Sequence, residues 1–180
     1  MFEGWDNFFV LIGTAAGGLI GLLFVVITLT SGLDRSRALR ASGIYMTPTL
    51  VHFAVVLVSS ALVLAPRLSL RMTALILAGA ALSGLANAVR TCLGIVAFAK
   101  EGSKLHWSDM PLYGGAPALL DVAIVGVAAG VWNGWASAPT ALAALLMVLM
   151  LVAIRNAWDL ITWIAPGVPP DEAAPPGSSS

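Results

Sequence analysis

Almost all of the charge in this chain lies between long apolar runs, and each run is near the length needed to cross a lipid bilayer. A hydrocarbon core takes about 20 apolar residues of helix. Inside it the backbone must satisfy its own hydrogen bonds, so runs of this length are helices. The chain therefore reads as all-α, a polytopic transmembrane helix bundle. Composition supports this: 10% of residues are charged and 59% hydrophobic, whereas an average soluble domain carries about 25% charged residues. A mean hydropathy of +0.94 points the same way, and an ordinary water-soluble fold is excluded. The formal net charge of zero gives no argument for nucleic acid as a partner; the lipid bilayer is the partner that the composition implies.

Five spans fit the hydropathy, at roughly 8–29, 44–65, 72–98, 116–132 and 139–163. The bundle then covers 1–165. The remainder, 166–180, is rich in Pro and Ser and has too little apolar surface to fold, so a disordered tail is expected. The first run is preceded by Glu3 and Asp6 and by no basic residue. A signal peptide needs a basic n-region and a shorter apolar stretch, so the first run reads as a retained span.

Orientation follows from the Lys/Arg bias of the loops. Arg35, Arg37, Arg40, Lys100 and Lys104 fall on one side, and only Arg67 and Arg71 on the other. This predicts the N-terminus outside and the C-terminus inside. Trp5, Phe8, Phe9, Trp132, Trp135, Trp158 and Trp163 fall near span edges, where aromatic rings favour the headgroup level.

Four charged residues break the pattern by lying inside spans: Arg90, Asp121, Arg155 and Asp159. An ionised group there costs a few kcal/mol unless it is paired or hydrated. Counted from the inner edges at ~1.5 Å per residue, Arg90, Asp121, Arg155 and His52 all lie ~12–15 Å deep. They form an expected intramembrane polar layer together with Asn87 and with Asp159, one turn from Arg155. Within it, Arg90 is expected to pair with Asp121, and Arg155 with Asp159. Such pairs either fix helix order and register or serve transport or sensing, and the residues leave both open.

Two stripes of small residues complete the pattern. Gly13, Gly17 and Gly21 recur every fourth residue along span one, and Gly79, Ser83, Asn87 and Thr91 along span three. Helices in lipid associate by close van der Waals packing, which small residues permit. The glycine strip is therefore a helix-packing face, towards another span or another copy.

Enzyme chemistry finds little support. There is no H-E-x-x-H zinc signature, Gly-rich phosphate loop or nucleophile elbow. Cys92 stands alone, so no internal disulfide or thiol pair for a metal exists. Of the two histidines, His106 falls in a loop, which disfavours a transmembrane bis-His haem. No catalytic residue, cofactor or metal is expected.

The opening stretch, Trp5-Asp-Asn-Phe-Phe-Val-Leu-Ile-Gly-Thr-Ala-Ala-Gly-Gly-Leu-Ile-Gly-Leu-Leu-Phe-Val25, resembles the first span of a group of small, uncharacterised bacterial integral membrane proteins. The resemblance covers about the first thirty residues. It implies a multi-pass protein of the bacterial cytoplasmic (inner) membrane and carries no activity across. The expectation is an oligomeric, non-catalytic channel or transporter-like protein using the Arg/Asp layer. The alternative is an accessory or regulatory subunit that docks on a larger membrane protein through span one.

Overall fold

A computed structural model describes residues 1–30, 47–100 and 111–164. The basic segment around Arg35–Arg40, the stretch 44–46 assigned to span two, Lys104, His106 and the tail 166–180 lie outside the described residues. Within them the chain is helical without strands. It forms α1 (Asp6–Thr30), α2 (Thr47–Leu64), α3 (Leu70–Lys100), a π-helical turn (Pro111–Gly115), α4 (Ala116–Trp132) and α5 (Ala138–Ile164). Five segments are long and apolar enough to cross a membrane.

Span four departs from expectation. The apolar segment runs over Pro111–Trp132, because the π-helical turn continues directly into α4. Pro117, in the first turn of α4, has no N–H to give to the carbonyl of Tyr113 four residues back. A helix missing that bond locally widens or kinks. The turn is then secured from outside: Tyr113 Oη donates to the carbonyl of Asn156 (3.1 Å), and Asn156 Nδ2 donates to the carbonyl of Leu112 (2.9 Å). On its other flank, a Cβ placed at Gly114 would overlap Cys92 Sγ of α3.

The short connections carry their own caps. Ser69 Oγ accepts from the Met72 N–H at 3.3 Å, an N-cap for α3. Helix α4 ends in a Schellman motif: the Gly134 N–H reaches the Val131 carbonyl, and the Trp135 N–H the Gly130 carbonyl. Gly134 takes φ +71° there, which only glycine adopts without strain. Trp135 folds back so closely over Gly130 that a Cβ would stand 2.9 Å from its ring.

Helices α2, α3, α4 and α5 pack in a ring, each against the next, with α5 closing against α2. Helix α1 lies outside the ring, mainly against α2 and also against α5. The glycine strip makes the first of these contacts. A Cβ at Gly13 would come within 2.9 Å of Ser60 Cβ, and one at Gly17 within 3.9 Å of Leu57 Cδ1. At Gly21 the space is open. The strip therefore serves packing within the chain at its first two positions, and its third faces outward.

The edge aromatics divide. Phe9 is fully buried and packs edge-on against Phe2 and Phe8, so it belongs to the core rather than to the headgroup belt. Trp132, Trp135 and Trp158 are exposed, as expected of interfacial anchors. Arg71 stacks over the Trp132 ring at 5.5 Å, which sets the start of α3 level with the end of α4.

Candidate functional site

Because the helices alternate in direction, one end of the bundle gathers Asp6, Leu64, Leu70, Trp132 and Ala138. This near end is tightly turned and gives a common zero for depth. Counting at ~1.5 Å per residue, His52 lies ~18 Å from Leu64 and Asp121 ~17 Å from Trp132. With a core ~30 Å thick, both are close to the midplane. Arg90 lies ~30 Å from Leu70, Arg155 ~26 Å and Asp159 ~32 Å from Ala138, at the far headgroup level.

The expected single layer thus separates into two. Counting from the inner edges misaligned them because α3 has 31 residues and α5 has 27, whereas α2 has 18. The longer helices extend past the hydrocarbon at the far end, so those edges do not share one depth.

The pairing changes accordingly. Asp121 does not pair with Arg90; it pairs with His52, whose Nε2 lies 3.3 Å from Asp121 Oδ2. His52 is 2% exposed and Asp121 0%. Arg90 is exposed on the outer face of α3 and makes no ion pair among the described residues. The reason is helical phase. Asp121 faces Gly84, and Arg90 is six residues further along α3, about 120° around the helix from that contact at 100° per residue. Arg155 and Asp159 do form an ion pair, at 2.9 Å, with side chains 44% and 40% exposed. An exposed pair of this kind contributes at most about 1 kcal/mol.

The His52–Asp121 pair spans the diagonal of the ring, since α2 and α4 lie opposite one another. Both residues sit five positions into parallel helices, which is why they meet. Helix α3 makes room for them at Gly84, where a Cβ would stand 2.7 Å from both carboxylate oxygens of Asp121. Gly84 was not among the residues that the sequence suggested. A glycine inside a helix costs about 1 kcal/mol relative to alanine, and that cost was the available signal.

One carboxylate oxygen is engaged and the other is not. Asp121 Oδ1 has no hydrogen-bond partner among the described residues, and neither do Asn87 Nδ2, Asn156 Oδ1, Ser59 Oγ and Ser60 Oγ. Buried polar atoms of this kind are ordinarily satisfied by protein or by internal water. Asn87 is thus half-buried beside the ring as a member of the polar set, with its backbone carbonyl accepting from Thr91 Oγ1 at 3.0 Å. Asn156 and Tyr113 add to that set towards the far end. Their position beside charged or turn-forming neighbours hid them in the sequence.

Chemically, the pair can hold one proton as imidazole with carboxylic acid or as imidazolium with carboxylate, and both forms are neutral overall. Losing that proton leaves a net negative charge in an apolar interior, which is costly unless water or a cation enters. No group of three or more His, Cys, Asp or Glu side chains suited to a metal occurs among the described residues. No protein-family model, curated protein or solved structure matches this chain.

Proposed function

We propose that this is a multi-pass inner-membrane protein of the transporter-like class, without catalytic activity, in which the His52–Asp121 pair binds and releases a proton. The observation carrying the reading is a carboxylate that is 0% exposed, meets a histidine, and has one oxygen without a partner among the described residues. Its estimated depth, ~17 Å into a ~30 Å core, is where transporter sites for substrates and coupling ions lie. A purely structural tie between α2 and α4 needs no unsatisfied carboxylate oxygen, since a half-satisfied buried group destabilises the fold.

The test is proton flux into vesicles of phosphatidylethanolamine with phosphatidylglycerol carrying an entrapped pH dye, with a potassium diffusion potential as driving force. The expected result is flux above empty vesicles that drops about tenfold or more in Asp121→Asn, which removes the carboxylate and keeps its shape. Absence of flux from the wild type would overturn the reading. It would also favour the accessory-subunit alternative, which is supported by α1 lying outside the ring with only 22% of its span window buried. In that alternative the partner is another membrane protein or a second copy, packed on the outward face that carries Gly21.

The proposed orientation keeps the N-terminus outside. The five-to-two bias of loop Lys and Arg supports it, and the far-headgroup depth of Arg90 and Arg155 adds two cations to the same side. A Ser36→Cys variant is expected to react with an impermeant thiol reagent in inverted membrane vesicles but not in spheroplasts. The reverse pattern would invert the topology.

A further inference from the structure

The geometry points to a hydrophobic gate in the outer half of the bundle, formed by Val56, Ala81, Ile124 and Leu146, which closes the His52–Asp121 pair from the near end and leaves proton exchange to the far end. The inference rests on the proton-binding reading above and adds a direction and a barrier to it.

The four side chains come one from each helix of the ring, and each is 0% exposed. Their levels agree: Val56, Ile124 and Leu146 lie ~12 Å from the near end, and Ala81 is three residues before Gly84 just as Ile124 is three after Asp121 on the antiparallel α4, both ~4.5 Å nearer that end than the Gly84–Asp121 contact. They therefore form one aliphatic layer about one helical turn above the pair. Leu77, seven residues before Gly84 on the face of α3 that receives Asp121, stands one further turn towards the near end and backs the layer. Beyond the layer, Ser59 stands two turns from His52 on the same face of α2. Its hydroxyl is cut off from the pair by the aliphatic layer. Ser60 does not contribute to this axis, because its side chain meets α1 at Gly13.

Below the pair the lining is mixed, with polar groups beside buried Ala88, Ile95 and Ala153. Thr49, Thr91, Tyr113 and Asn156 are buried polar residues of the far half. Asn87 Nδ2 and Asn156 Oδ1 join Asp121 Oδ1 as buried atoms with no partner among the described residues. In register with α4, Asn87 is about one turn below Asp121, because Gly84 lies level with Asp121 and Gly114 level with Cys92. Three unsatisfied atoms thus descend from the midplane to the far end, and polar sites of this kind take water. A hydronium in that file gives its proton to the pair, which passes from a net charge of minus one to neutral, and leaves as water. An aliphatic constriction excludes water from the other side, the dewetting that gates channels.

Two measurements test this. In the vesicle assay, Leu146→Ser places a hydroxyl in the layer and is expected to raise proton leak about tenfold, with the rise lost again in Leu146→Ser combined with Asp121→Asn. Unchanged leak, or a leak that ignores Asp121→Asn, would overturn the gate. The second does not depend on flux. In a Cys92→Ala background in lipid nanodiscs, open to reagent on both faces, Thr49→Cys is expected to react with aminoethyl methanethiosulfonate about tenfold faster than Val56→Cys, which stands in the layer itself. Equal rates, or the reverse order, would overturn the gate. Faster reaction at Thr49→Cys with no flux in the wild type would uphold the gate and remove the transport reading.

Discussion

His52→Leu is expected to destabilise the protein by about 3–5 kcal/mol, because it leaves the Asp121 carboxylate buried without its partner. Asp121 is 0% exposed, and its second oxygen has no partner among the described residues. Asp121→Leu removes the carboxylate and leaves a neutral imidazole, a smaller loss of about 1–3 kcal/mol. The double variant leaves neither group and is expected to lose less than the sum of the single changes. The coupling should reach about 0.5–3 kcal/mol, the range for residues in direct contact. Thermal melting in mild detergent, taken as a double-mutant cycle, measures it. Arg90→Leu supplies the control: on an exposed face outside the pair, it should be additive with Asp121→Leu. Additive losses for His52 and Asp121, or coupling between Arg90 and Asp121, would contradict the geometry.

Gly114→Ala is expected to be the most damaging methyl addition among the described glycines. Its Cβ would overlap Cys92 Sγ and stand 3.5 Å from the Ala88 carbonyl oxygen. The π-helical turn cannot retreat from α3 without pulling on α5, since Tyr113 and Leu112 are tied to Asn156 on the opposite side. Overpacking of this kind costs about 1–3 kcal/mol. Cys92→Ala removes the overlapping sulfur, so the double variant Gly114→Ala with Cys92→Ala should recover most of the melting temperature. Gly126→Ala, where a Cβ meets nothing within 4 Å, should leave it unchanged or slightly raised. A Gly114→Ala variant that melts like the wild type would show that the turn is not held between α3 and α5 as described.

The all-helical class and the five segments long and apolar enough to cross a membrane were legible in the sequence, because they depend on local properties. A run of apolar residues must be helical in lipid whatever surrounds it, and charge and proline end it. The Arg155–Asp159 pair was legible for the same reason: residues four apart on one helix are neighbours. The close fit of Gly13 to a facing helix was legible as a strip of small residues, although its partner, Ser60 of α2, was not.

Tertiary structure decided the site. Opposite charge and similar apparent depth suggested Arg90 for Asp121, but neither quantity contains the rotation of a helix about its axis. Packing α3 against α4 through Gly84 turned Arg90 out to the surface and brought His52 across the ring from a helix that α4 does not follow in sequence. The start of span four moved for a related reason, since the π-helical turn depends on Asn156, more than forty positions away along the chain. Hydropathy assigns residues to the membrane; helical phase and the small residues that allow close approach determine which of them meet.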